Sequence, residues 1–260
     1  METLAILSIK GGVGKTTTAA ALGGILATEH KARVLAVDLD PQGNLTTGLG
    51  LDPYAFTLTT LDVLYELAPA ADAIVSTETP RLDVLPASLT LAEAELKLVS
   101  QPAREMRLRR ALASVAERYD YCIIDTPPSL SVFSQNAAMA ARWVLTPVEA
   151  SPYSMDALAH LRQFLDTMAP YNPTGLSLLG VVLTKMDNRL RLTVEVERRL
   201  REALGPLLFG VTIPTNVKAS EAAAAGQPVN LYDGRASSTE AYRRLTQEIL
   251  ARLEMAYAAS

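Results

Sequence analysis

Ser8-Ile9-Lys10-Gly11-Gly12-Val13-Gly14-Lys15-Thr16-Thr17 reads as a glycine-rich turn between a strand and a helix. The apolar run Leu4-Ala5-Ile6-Leu7 before it predicts a short buried strand, and the run from Thr17 to Ala27 after it predicts a helix. In that order the three pieces make an anion cradle. Gly11, Gly12 and Gly14 let the backbone curl, so that the N–H groups of residues 11–17, including those of Val13 and Thr17, can face one phosphate chain. The helix N-terminus adds the positive end of its dipole. Lys15 is placed to reach β- and γ-phosphates, and the Thr16 hydroxyl to bind Mg²⁺.

The loop departs from the ordinary pattern G-x-x-x-x-G-K-[ST], which has glycine where this chain has Ile9. An additional lysine, Lys10, stands on the loop instead. The form K-G-G-x-G-K-T-T resembles the deviant Walker A of the ParA/MinD ATPases. That resemblance implies a nucleotide-sandwich dimer in which Lys10 reaches the partner's ATP. A merely solvated loop lysine is the plainer alternative.

Composition narrows the class. The 260 residues suffice for one α/β domain with a large core, and no linker, repeat or low-complexity tract divides them, so residues 1–260 are expected to form a single domain. A net charge of −4 argues against a uniformly basic nucleic-acid binder but leaves room for a local basic patch. The single cysteine, Cys122, lies in an apolar run and is expected in the core; one cysteine makes the iron–sulfur reductases that share this loop a poor match. No signal peptide and no apolar run of about 18 residues is present, which predicts a cytoplasmic protein.

Further along, Arg33-Val34-Leu35-Ala36-Val37-Asp38 predicts a second strand ending in a carboxylate. Strand, helix, strand at this spacing predicts a parallel sheet with right-handed crossovers and helices on both faces. Ligands of such sheets sit at the carboxyl ends of the strands, which brings Asp38 and Asp40 to the edge that carries the glycine loop. Asp120-Tyr121-Cys122-Ile123-Ile124-Asp125 is a third strand of the same kind, followed by Thr126-Pro127-Pro128. Helices are expected over Leu61–Leu64, Leu89–Val99, Arg104–Tyr119, Pro152–Met168, Leu190–Leu204 and Ser237–Tyr257. Strands are expected over Arg81–Pro86, Arg142–Val148, Leu176–Leu183 and Leu207–Ile213, with 184–189 as an exit loop. The arginines of 104–119 are expected on a solvated face. The last helix has Tyr242, Leu245, Ile249 and Leu253 as a core stripe, with Arg243, Arg244 and Arg252 balancing Glu240, Glu248 and Glu254 on its exposed face.

Three more segments strengthen the ParA resemblance: Asp38-Leu39-Asp40-Pro41-Gln42-Gly43-Asn44, Asp125-Thr126-Pro127-Pro128, and Pro214-Thr215-Asn216-Val217-Lys218-Ala219-Ser220-Glu221-Ala222. The resemblance implies a P-loop NTPase fold. Thr16, Asp38 and Asp125 would serve the metal, Asp40 the attacking water, and Pro214 and Asn216 the adenine. Either aspartate of the 38–44 segment could instead cap its turn. Thr215 and Ala223 depart from the arginine and proline often found in relatives. The chain resembles the short, Soj-like form. ATP and Mg²⁺ would drive dimerisation and non-specific binding of double-stranded DNA, with Arg189 and Lys218 as candidate contacts, and a ParB-type protein would stimulate hydrolysis on the nucleoid. The balanced last helix lacks the basic face of a membrane-surface helix. A MinD-like or cargo-positioning ATPase acting on another surface is the alternative.

Overall fold

The computed structural model describes residues 1–87, 98–187 and 189–258. Its strands are β1 (Glu2–Ile6), β2 (Val34–Asp38), β3 (Val75–Ser76), β4 (Leu82–Leu85), β5 (Tyr121–Asp125), β6 (Trp143–Glu149), β7 (Ser177–Met186) and β8 (Leu208–Pro214). All eight join one sheet in the order β3-β4-β2-β5-β1-β6-β7-β8. Every pairing is parallel except β3 with β4. The central strands read as continuous apolar runs because both faces are covered. Leu4, Ile6, Val34, Ala36 and Ile123 feed one apolar cluster, and their neighbours Ala5, Leu7, Leu35, Val37, Cys122 and Ile124 feed the other. This is the two-residue strand period directed into two cores.

The first cluster packs under helix α1 (Lys15–Thr28) and the C-terminal helix (Ser237–Ala258). Tyr242, Leu245, Ile249 and Leu253 are all buried there, as their spacing predicts. The second cluster includes Leu108 and Leu112, Phe133 and Ala137, and Leu161 and Leu165, from three helices on the opposite face. β1 lies between β5 and β6, so the chain leaves it toward β2 on one side and later crosses to β6 on the other. That reversal is the topological switch point, and the crevice beyond the strand ends there is where such sheets bind ligands.

Several expectations need correction. The 104–119 segment is not one helix: a 3₁₀ turn at Arg104–Met106, an α-helix at Arg107–Ala113 and a second 3₁₀ turn at Ala116–Arg118 replace it. Arg107 is buried, not solvated, and donates to the Leu64 carbonyl at 3.0 Å. Arg252 is also no surface charge. Its guanidinium stacks 3.8 Å from the Phe209 ring centroid and donates to the Leu179 carbonyl, while Glu248 accepts the N–H groups of Gly210 and Val211. β7 runs on to Met186, so Thr184 and Lys185 belong to the strand, not to its exit loop. Of the helix expected over Leu89–Val99, only Leu98 and Val99 fall among the described residues, and both are helical; Asn188 of the exit loop also lies outside them.

Gly23 and Gly24 of α1 do different jobs. A Cβ on Gly23 would face the sheet, 3.3 Å from a flexible Leu82 methyl, whereas one on Gly24 would lie 2.4 Å from the Pro228 ring and 2.6 Å from Asn230 Oδ1. The rigid ring cannot yield as a leucine can. Gly24→Ala should therefore lower unfolding stability by about 1–3 kcal/mol through overpacking, and Gly23→Ala by clearly less, read from urea midpoints. Equal losses would show that α1 shifts as a body at either position.

Candidate functional site

The glycine loop leaves β1 at the switch point and enters α1 directly. Gly12 at φ 73° and Gly14 at φ 88° are left-handed, which only glycine adopts without cost, and Gly14 forms the N-cap of α1. Two hydroxyls brace the loop and the strand end that leads into it: Thr184 Oγ1 donates to the Val13 carbonyl of the loop at 2.7 Å, and Thr126 Oγ1 to the carbonyl of Ile6, the last residue of β1, at 2.8 Å. The loop is therefore held in a curled shape by neighbours on both sides of β1.

Lys15, Thr16, Asp38, Asp40 and Asp125 converge beneath it. Cross-strand register places Asp125 opposite both Ile6 of β1 and Asp38 of β2. Thr16 Oγ1 donates to Asp125 Oδ2 at 2.6 Å, and Asp125 Oδ1 is buried without a hydrogen-bond partner. Burial, with the neighbouring charge of Asp38, pushes the Asp125 carboxyl up to about 8; the Thr16 hydrogen bond and Lys15 oppose this. Asp38 is pushed up to about 6, again by burial, and is held back by the N–H and hydroxyl of Thr46. Lys15 is lowered by its own burial, against the attraction of Asp125 and Asp40.

These are oxygen donors with an orphaned carboxylate oxygen, and three buried acids, Asp38, Asp40 and Asp125, face one buried lysine. That set fits a hard divalent cation such as Mg²⁺, which takes one or two protein oxygens and completes its shell with water and phosphate. No group of three or more acidic, histidine or cysteine side chains among the described residues makes a self-sufficient metal cage.

The capping alternative for the two aspartates is also realised. Asp38 Oδ2 accepts the N–H and the hydroxyl of Thr46, both at 2.8 Å, at the start of the short helix Asn44–Gly48. Asp40 Oδ1 accepts the Gln42 N–H at 3.0 Å. Both carboxylates thus shape the turn that holds them beside Lys15.

Lys10 lies apart from this group. Its Nζ pairs with Glu149 Oε2 at 2.9 Å, and both side chains are about two-fifths exposed (43% and 39%). Such a surface pair is worth at most about 1 kcal/mol. Glu149 was not singled out from the sequence. The signal was there, since it is an acid at the end of an apolar strand, as Asp38 and Asp125 are.

On the other flank, Pro214, Asn216, Gly14, Thr17, Ser238 and Tyr242 help to line a cavity of about 240 Å³. Asn216 caps the helix Val217–Ala224 by accepting the Lys218 N–H, and its amide donates to Ser237 Oγ, each at 2.8 Å. Arg189 and Lys218 follow the adjacent strand ends Met186 and Pro214, which are in register. Each is ion-paired: Arg189 with Asp187 at 2.7 Å and Lys218 with Glu221 at 2.8 Å.

Comparison with known proteins gives the family and the fold. A family model described as an AAA domain matches residues 1–177. The sporulation initiation inhibitor protein Soj of Bacillus subtilis is 41% identical over 95% of this chain and 98% of its own length. The chromosome partitioning protein ParA of Caulobacter vibrioides is 41% identical over 97% of this chain and 95% of its own. Among solved structures, a cobyrinic acid a,c-diamide synthase from Mycobacterium smegmatis, with a bound ATP analogue and magnesium, superposes with a TM-score of 0.85 at 31% identity, covering 98% and 96% of the two chains. An ATP complex of a Cyanothece McdA variant gives 0.86 at 26%, covering 98% and 96%. With its glycine loop, strand-end acids and 214–222 segment in the expected order, and with relatives matched from end to end, the chain belongs to the ParA/Soj family of chromosome-partitioning ATPases.

Proposed function

We propose that residues 1–260 act as one Mg²⁺-dependent ATPase domain that closes into a nucleotide-sandwich dimer, grips DNA without sequence preference, and lets go on hydrolysis. The observation that carries this reading is the separation of two lysines on one loop. Lys15 is buried in the cradle, where it serves the subunit's own phosphates. Lys10 stands on the exposed rim, paired with Glu149, where a second copy can take it.

The chemistry is in-line attack of water on the γ-phosphate, in which positioning and charge neutralisation supply most of the rate. The loop N–H groups of residues 11–17 hold the phosphates, Lys15 neutralises β- and γ-oxygens, and Asp40 orients the attacking water. Thr16 and Asp125 would hold magnesium directly or through water, with Asp38 ordering its shell; the ion supplies further charge neutralisation at the phosphates. Pro214 and Asn216 meet the adenine. Lys10 leaves Glu149 and adds positive charge from the partner subunit. Cations supplied in trans contribute on the order of 10³–10⁵ in rate in other P-loop enzymes, so a lone subunit hydrolyses slowly. A ParB-type centromere-binding partner and a nucleoid location follow from the same reading. No helix among the described residues is long and apolar enough to cross a membrane, and the stripe on the last helix is packed in the core, not free to meet a lipid surface.

Lys10→Ala should retain ATP binding but lose ATP-dependent dimerisation or turnover, followed by light scattering and phosphate release with a non-hydrolysable analogue as control. Full turnover in that variant would refute a role in trans.

The DNA reading rests on cooperation between weak contacts. If each protomer meets about three phosphates, closing the dimer doubles the count, and the log–log salt slope steepens from roughly −3 to roughly −5. Replacing both Arg189 and Lys218 with alanine should cut plasmid DNA retention in a low-salt mobility assay and spare ATP turnover. Retention equal to the unaltered protein would reject these two contacts, and retention indifferent to ATP, ADP or no nucleotide would reject the DNA reading as a whole.

A further inference from the structure

Lys185 is placed at the cradle by its backbone. It has φ 53°, in the left-handed region that a residue with a Cβ adopts at a cost. Its neighbours Thr184 and Met186 are both buried, and Thr184 is hydrogen-bonded to the loop at Val13. Lys185 itself is exposed, and its Nζ lies 4.0 Å from the point that a Cβ on Gly12 would occupy. Among the described residues no carboxylate oxygen comes within 4.0 Å of that ammonium, whereas Lys10, Arg189 and Lys218 are each paired at 2.9 Å or less.

The same residue lines the cavity of about 240 Å³ that also holds Pro214, Asn216 and Ser238. Ser238 Oγ is buried there with no hydrogen-bond partner. An unsatisfied buried hydroxyl and an unpaired cation on one cavity indicate a polar, anionic occupant. Strain of this kind persists where the surrounding structure over-determines it, and it clusters at ligand sites.

We propose that Lys185 is a further nucleotide-binding residue, with its methylene stem along the base-and-ribose end and its ammonium beside Gly12 adding positive charge to the phosphate chain. This rests on the ATP-binding reading above and deepens it. Lys185 is fixed by the strand of its own subunit, so it acts without a second copy, unlike the role proposed for Lys10. Loss of a contact made equally in the ground and transition states raises KM and leaves kcat nearly alone.

The test is ATP and ADP affinity of the full chain by calorimetry, with steady-state kinetics alongside. Lys185→Met should weaken both nucleotides by about tenfold, the scale of one charge-assisted contact. KM should rise in proportion, with kcat within about twofold, and Lys185→Arg should restore most of the loss. Lys185→Gly should weaken binding as the methionine variant does, while its nucleotide-free unfolding midpoint stays level or rises, because glycine relieves the left-handed backbone. Affinities within about twofold of the unaltered protein in the methionine variant would overturn the proposal. So would a loss of affinity matched by a fall in the nucleotide-free midpoint of both variants, which marks a structural role. Failure of the unaltered protein to bind ATP at all would instead remove the nucleotide reading on which the proposal stands.

Discussion

Two buried carboxylates side by side govern this molecule. Asp38 and Asp125 end adjacent strands in register, beneath a loop whose own lysine is also buried. Taking charges out of water is costly unless they are paired and hydrogen-bonded. Here the pairing is incomplete: Asp125 keeps one oxygen without a partner, and burial raises both carboxyls. The arrangement therefore concentrates unfavourable electrostatics, which under the proposed function a divalent cation and a phosphate chain would relieve together. A ligand that relieves such a site stabilises the fold by mass action, so nucleotide binding and stability of the strand ends are linked by construction.

Outside the cradle the logic reverses. Lys10, Arg189 and Lys218 are exposed, and each sits on a carboxylate of its own chain. Pairs of this kind contribute little to stability because water and salt screen them. They are easily exchanged for a phosphate, and the exchange loses attraction as salt rises. Lys15 is buried and committed to its own loop, whereas Lys10, Arg189 and Lys218 are held in surface pairs that, in the proposed cycle, a second subunit or a polyanion replaces. The proposed cycle of closing and release uses that difference.

Much of this was legible in the sequence because the signals are local. Glycine at positions 12 and 14, an apolar run before and a helix former after, demand a turn that only such residues make. The strands at 34–38 and 121–125 announce themselves by unbroken apolar character and a terminal acid. Burial was not legible where it depends on partners distant in sequence. Arg107 reads as a surface charge until Leu64, 43 positions away, supplies a carbonyl. Arg252 reads the same way until Phe209 and the Leu179 carbonyl take it in. The left-handed turn at Lys185 carries no residue signature at all, since nothing in Thr-Lys-Met asks for a positive φ.

Strand length then decides what each terminal acid can do. Ile6 of β1 is level with Asp125 of β5 and with Leu145 of β6. β5 stops there, so its acid drops into the cradle beside Thr16. β6 continues for four more residues, roughly 13 Å at about 3.3 Å per residue, before it reaches Glu149, whose level on β7 is Thr184. The same chemical group is thereby carried past the phosphate loop to the rim, where it meets Lys10 instead of a metal site. β7 follows β6 outward, which lets Thr184 reach over to Val13 and sets Lys185 against Gly12. An acid that ends a strand of this sheet is therefore not by that fact a metal ligand. Its depth along the edge, set by how far its strand outruns β1, separates the carboxylate buried beside Thr16 from the carboxylate paired with Lys10 on the rim.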